Sequence, residues 1–238
     1  MIGRLVLAAL IAGMAAGFIY GGVQHVQTTP LILAAEVYET APAHDHAAAA
    51  TDPAVTPAAA PQHEAEEWAP ADGWQRTLST SITSMITGAG FALLLAGVSL
   101  LTGLPITPKN GLIWGICGFL AATVAPGAGL APELPGMPTA DLVSRQVWWV
   151  ATIAATGAAI FLIATRRELL WLAAAVVLIA LPHIIGAPQP LTHETAVPAG
   201  LAASFAANTI AASAVLWSLI GLFLGLVLQK FGKDVYVS

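Results

Sequence analysis

Cysteine is nearly missing from this chain. The single thiol, Cys117, lies in an apolar stretch, so neither an intrachain disulfide framework nor a cysteine metal cluster is available. Its expected role is that of a small apolar packing residue. Charge is also scarce: Lys and Arg number 8 and Asp and Glu 13, together 9% of 238 residues, whereas a soluble domain carries about 25%. The net charge of −5 and the lack of any basic block exclude nucleic acid as a partner. No Gly-x-x-x-x-Gly-Lys-[Ser/Thr] loop is present to cradle phosphates, so this chain does not hydrolyse ATP. No His-Glu-x-x-His motif or pair of acids sits inside an apolar run, which removes the protease readings. The apolar runs also lack a deep histidine pair able to clamp a haem. Nothing here argues for an enzyme.

What is abundant is apolar length. Hydrophobic residues make up 57% of the chain and its mean hydropathy is +0.79, which identifies an integral membrane protein. Six stretches, at about residues 4–23, 78–102, 111–128, 146–165, 169–186 and 205–228, approach the roughly 20 helical residues that cross a bilayer core of about 30 Å. The first runs for nearly its full length without an Ala-x-Ala site at its end, which favours a retained helix over a cleaved signal peptide. The expected fold is therefore an all-α bundle of about six transmembrane helices. Residues 1–24 hold the first helix, 25–77 a long loop rich in His, acid, Ala and Pro, 78–230 a five-helix membrane bundle, and 231–238 a short tail.

The cations orient this bundle. With both termini in the cytoplasm, Arg4, Lys109, Arg166, Arg167, Lys230 and Lys233 fall inside and only Arg76 and Arg145 outside, the bias of the positive-inside rule. The same threading puts all six histidines on or at the outer face, with every carboxylate except Glu168 and Asp234. Gly13, Gly17 and Gly21 recur every four residues in the first stretch, Gly111 and Gly115 in the third, and Gly221 and Gly225 in the sixth. Small residues at this spacing let membrane helices approach closely.

Imidazole and carboxylate together suit borderline divalent ions such as Co²⁺, Ni²⁺ and Zn²⁺. One candidate tier lies in the loop, where His44, His46 and His63 with neighbouring acids form a loose antenna. Its Ala- and Pro-rich middle has too little apolar surface to order itself. The other tier is anchored at helix ends: His183, Glu36, Glu133 and His25, with His193 and Glu194 in the last outer loop and Glu39 one helical turn from Glu36. His183 follows Pro182, which lacks the N–H that the carbonyl of Leu178 would accept. An ionisable ring at that depth marks a functional site by default. Glu133 stands between Pro132 and Pro135, which restrict the directions its carboxylate can take. Asp141 and Arg145, four apart, are expected to form a surface ion pair, and residues 30–39 form an amphipathic segment suited to lying on the membrane.

Four blocks of the sequence resemble the CbtA family of predicted cobalt transporter subunits: Thr29-Pro30-Leu31-Ile32-Leu33 with Ala35-Glu36-Val37-Tyr38-Glu39; Trp68-Ala69-Pro70-Ala71-Asp72-Gly73; Pro132-Glu133-Leu134-Pro135-Gly136-Met137-Pro138 followed by Arg145-Gln146; and Leu181-Pro182-His183-Ile184-Ile185-Gly186-Ala187-Pro188-Gln189-Pro190. The resemblance implies a multi-pass protein of the bacterial inner membrane that takes up cobalt(II) for cobalamin synthesis. It also implies a small single-span partner, CbtB, with histidines of its own. The residues leave nickel open as an alternative ion, because nickel binds a given nitrogen and oxygen site somewhat more tightly. They leave open, too, a scaffold that holds metal outside and hands it to a partner without transporting it. If His183 is a ligand on the path, its replacement by alanine is expected to abolish uptake.

Overall fold

The computed structural model describes residues 2–39 and 73–231, and within them the secondary structure is helical, without strands. Residues 40–72, with His44, His46, His63 and most of the second block above, lie outside the described residues, as do 232–238. Helix α1 is Ile2–Gln27, α2 Thr29–Glu39, α3 Trp74–Thr102 and α4 Gly111–Phe119. A π turn, Leu120–Val124, and a single α turn, α5 (Ala125–Gly127), continue α4 without a break; α6 is Leu142–Thr165, α7 Leu169–Ile185 and α8 Ala199–Phe231.

Each of the six apolar stretches is helical. Among the described residues α1, α3, α6 and α8 are long and apolar enough to cross a membrane, while Gly111–Gly127 and α7 are shorter apolar helices. Most helices outrun their apolar stretch: α1 continues to Gln27 and α8 begins at Ala199. Hydropathy marks only the length that avoids water, and helical hydrogen bonding does not stop there.

The small residues bring the helices together. A Cβ added to Gly13 or Gly17 would strike the backbone carbonyls of Gly88 and Ser84, so α1 and α3 touch backbone to backbone, antiparallel. The third and sixth stretches meet likewise, with Gly111 against Gly221 and Gly115 against the carbonyl of Trp217. Side chains fill the space between these pairs: Ala12, Ala16 and Tyr20 of α1, Leu95 of α3, and Leu216, Trp217, Ile220 and Leu224 of α8 form one buried cluster. Helix α6 packs on α7 along Trp148, Thr152, Thr156 and Ala159.

A second, smaller cluster covers one end of the bundle, here called the upper end. Ala35 of α2, Leu134 and Val197 are buried together there, with Ile32, Tyr38, Met137 and Phe205 packed around them. The amphipathic segment expected on the membrane surface thus buries its apolar side against two loops of its own chain. A further tie is a two-pronged ion pair, in which the guanidinium of Arg76, in the first turn of α3, meets both carboxylate oxygens of Glu36.

Candidate functional site

Pro126 shapes the site from below. It has no N–H for the turn before it, and its ring crowds the carbonyl four residues back. The helix widens there, so that the Ala125 N–H reaches the carbonyl of Leu120, five residues back. Such π turns concentrate at functional sites. Beyond Gly127 the chain turns sharply, the N–H of Leu130 donating to the Pro126 carbonyl at 2.8 Å, and runs into Pro132-Glu133-Leu134-Pro135.

Asp141 fixes the opposite wall. Its Oδ1 accepts from the Ser144 backbone N–H at 2.9 Å and from the Ser144 hydroxyl at 2.8 Å, an N-cap that starts α6. The backbone N–H of Ser144 first, and then its hydroxyl, hold the Asp141 carboxyl below its ordinary range. Capping uses the side chain that was expected to pair with Arg145, and Arg145 turns instead to Glu133, with Nη2 2.8 Å from Oε2. The surface pair expected between Asp141 and Arg145 is therefore corrected to a half-buried pair between Arg145 and Glu133. Glu133 Oε2 is buried with no donor hydrogen aimed at it, so the contact is Coulombic without the alignment of a hydrogen bond.

Between these walls lies a cavity of about 410 Å³, open to the outside of the molecule, in the upper half of the bundle. Thr123, Pro126, Glu133, Arg145, Gln146 and Ser213 line it, with apolar groups between them. Taking a water as about 30 Å³, a divalent ion with six waters needs about 180 Å³ and fits. Ser213 gives the cavity's wall on α8 a polar group.

The other residues singled out from sequence are dispersed. His183 is exposed, its ring edge-on to Trp148 with centroids 5.8 Å apart. His25, His193 and Glu194 are exposed, and Glu36 is held by Arg76. Glu39 is the last residue of α2. Among the described residues no three His, Cys, Asp or Glu side chains gather to hold a metal. Sequence reasoning missed Gln146 and Ser213 as residues that line the cavity. The available signals were Pro126, whose missing N–H frees a carbonyl, and the Arg145-Gln146 pair in the third block.

The CbtA family, described as probable cobalt transporter subunits, matches residues 2–229, and the chain belongs to that family. No curated protein and no solved structure matches the chain.

Proposed function

We propose that this CbtA-family subunit takes up divalent cobalt across the bacterial inner membrane. The reading is carried by one observation: a cavity with room for a hydrated ion, walled by a π turn and by the Glu133–Arg145 pair. Family membership supports cobalt as the cargo and, through the word subunit, a partner protein; we take that partner to be a small single-span, histidine-bearing chain of the CbtB kind.

Gly111–Gly127 and α7 are then read as the fifth and sixth spans. Each is helical for 17 residues, or about 25 Å at 1.5 Å per residue, at the lower limit for crossing. With both termini cytoplasmic, the upper end is periplasmic. His25, His183, His193 and Glu194, with His44, His46 and His63 of the loop, raise the local concentration of the ion there. The hydrated ion reaches the cavity and displaces Arg145 from Glu133: a doubly charged ion outcompetes a singly charged guanidinium for one carboxylate, and Oε2 has an unfilled acceptor position to offer. The membrane potential favours inward movement by about 4.6 kcal/mol for two charges at 100 mV.

A second reading is favoured by a specific observation. Below the cavity, the interiors of the described spans carry neither carboxylate nor imidazole, as befits a subunit that binds cobalt at the upper end and passes it to its partner. Uptake of radioactive cobalt into proteoliposomes holding this chain alone, under an inside-negative potential, separates the two. Potential-driven uptake is the expected result. Binding of cobalt to the purified chain without uptake would assign transport to the partner.

A further inference from the structure

Every side-chain acceptor that lines the cavity is an oxygen. Glu133 brings the single carboxylate, and Thr123, Gln146 and Ser213 bring neutral oxygens. None of the described residues that line it is a histidine or a cysteine. Asp141, one residue before the cavity wall on α6, commits its Oδ1 to the Ser144 backbone and hydroxyl instead. His183 is exposed and edge-on to Trp148, apart from the lining groups.

This donor set is too poor to replace the water around a divalent ion. Small hard cations that meet only one or two carboxylates keep several of their waters, and here there is one. Volume argues the same way. A cavity of about 410 Å³ is more than twice the size of an ion with six waters, at about 30 Å³ for each water. Its walls therefore stand too far apart to close on a bare ion. The cavity is also open to the outside of the molecule, so water enters with the cation. Glu133 Oε2 is buried without a donor hydrogen. A coordinated water, whose O–H is polarised by the metal, is the donor that suits it.

We propose that the cavity takes a divalent cation with its inner shell of waters intact, and that Glu133, Thr123, Gln146 and Ser213 accept hydrogen bonds from those waters. No bond forms between metal and protein there. Such a site sorts cations by charge and hydrated size, and it ignores the ligand preference that separates cobalt from magnesium. Choice of cobalt then falls to imidazole on the upper face, where His25, His183 and His193 are exposed, or to the partner. That the cargo is cobalt rests on the function proposed above; the retained shell does not.

The probe that tests this is hexaamminecobalt(III), an exchange-inert ion close in size and shape to a hexaaqua ion, which cannot give up a ligand to a protein group. In the full chain with Cys117→Ser, Thr123→Cys places a thiol in the cavity wall, and an uncharged maleimide reports its access. The probe is expected to slow labelling roughly tenfold once its concentration is ten times its dissociation constant, and Glu133→Gln should remove the protection. In proteoliposomes holding the unaltered chain, the probe should inhibit cobalt uptake, and magnesium equimolar with saturating cobalt should lower uptake about twofold, as equal affinities require. This second measurement needs no substitution, so it decides the matter even if Thr123→Cys fails to accumulate. Labelling that the probe leaves unchanged in large excess, or protection that survives Glu133→Gln, would overturn the retained shell. Uptake that neither the probe nor magnesium slows would overturn it too and leave the permease reading standing. Protection in a chain that takes up no cobalt would keep the site for a hydrated ion and remove the permease reading.

Discussion

The indole Nε1–H of Trp148 donates a 3.1 Å hydrogen bond to the backbone carbonyl of Pro182, across the interface of α6 and α7. That carbonyl also accepts the N–H of Gly186 at 3.0 Å, which ends α7. Pro182 is therefore pinned from the neighbouring helix through its own carbonyl, and the same indole lies edge-on to the imidazole of His183. Trp148→Phe keeps an aromatic ring but loses the donor together with part of a buried side chain. Gly186 still satisfies the carbonyl, so the bond accounts for about 1 kcal/mol of the loss and the vacated volume adds to it, read as a lower thermal midpoint in detergent. A midpoint equal to the parent's would show that neither the bond nor the buried indole contributes.

Glu133 and Arg145 should behave as an exchange pair. Glu133→Gln removes the anion and is expected to lower cobalt uptake by about tenfold to a hundredfold, the size of a charge-assisted interaction of 1.5–3 kcal/mol. Arg145→Gln leaves the carboxylate without its counterion, so cobalt should be held more tightly and released more slowly, with KM and maximal rate both falling. If Arg145→Gln instead raised KM, the guanidinium would not compete with the ion.

The structure changes what is expected of His183. Its ring is exposed and stands edge-on to Trp148, so His183→Ala should raise the cobalt KM and leave the maximal rate intact, whereas a ligand on the path, the condition set in the sequence reading, would lose uptake altogether. Deleting residues 44–63 should act in the same direction and only at low cobalt. A loss of maximal rate in His183→Ala would place the imidazole on the path itself.

Backbone contact between helices makes a sharp prediction about glycine. Gly221→Leu forces α8 away from Gly111 and Gly115, with an expected cost of about 1–3 kcal/mol or more, and the protein should accumulate poorly. Gly97 has nothing within 4 Å of the position its Cβ would take. Gly97→Leu should therefore accumulate like the parent, and membrane levels of the two variants compare them directly.

The Asp141 cap gives a pH dependence with a definite sign. Its folded carboxyl titrates below the ordinary value because Ser144 donates to the ionised form. The stabilisation it lends the first turn of α6 is fully present above the ordinary carboxylate value and is lost as pH falls through the lowered one. Amide exchange at Ser144 should be faster in Asp141→Ala than in the parent at neutral pH, and the difference should vanish in acid. A difference that persisted in acid would mean that protonated Asp141 still caps.

Much of the architecture could be read locally. Apolar run length located the helices of the six apolar stretches, since whether a segment avoids water depends on its own residues. The recurring glycines marked helix surfaces able to meet at backbone distance, and Gly13, Gly17, Gly111, Gly115 and Gly221 do so. Sequence could not say which surface meets which, because a four-residue repeat specifies a face and not a partner.

The site depended on tertiary structure. Asp141 and Arg145 are correctly spaced for an ion pair on one helix, yet Asp141 precedes the first helical turn and caps it, so Arg145 is left for a carboxylate that arrives from the preceding loop. Ser213 lies far along the chain from Pro126 and Glu133 and shares a cavity with them only when α8 packs on α4. Likewise α2 carries an amphipathic pattern that suits a membrane surface, and what decides its place is that Leu134 and Val197 offer it apolar cover from within the same molecule. Composition and periodicity are properties of a segment and survive without a fold; the choice of counterion or apolar partner is made among groups that only packing brings within a few ångströms of each other.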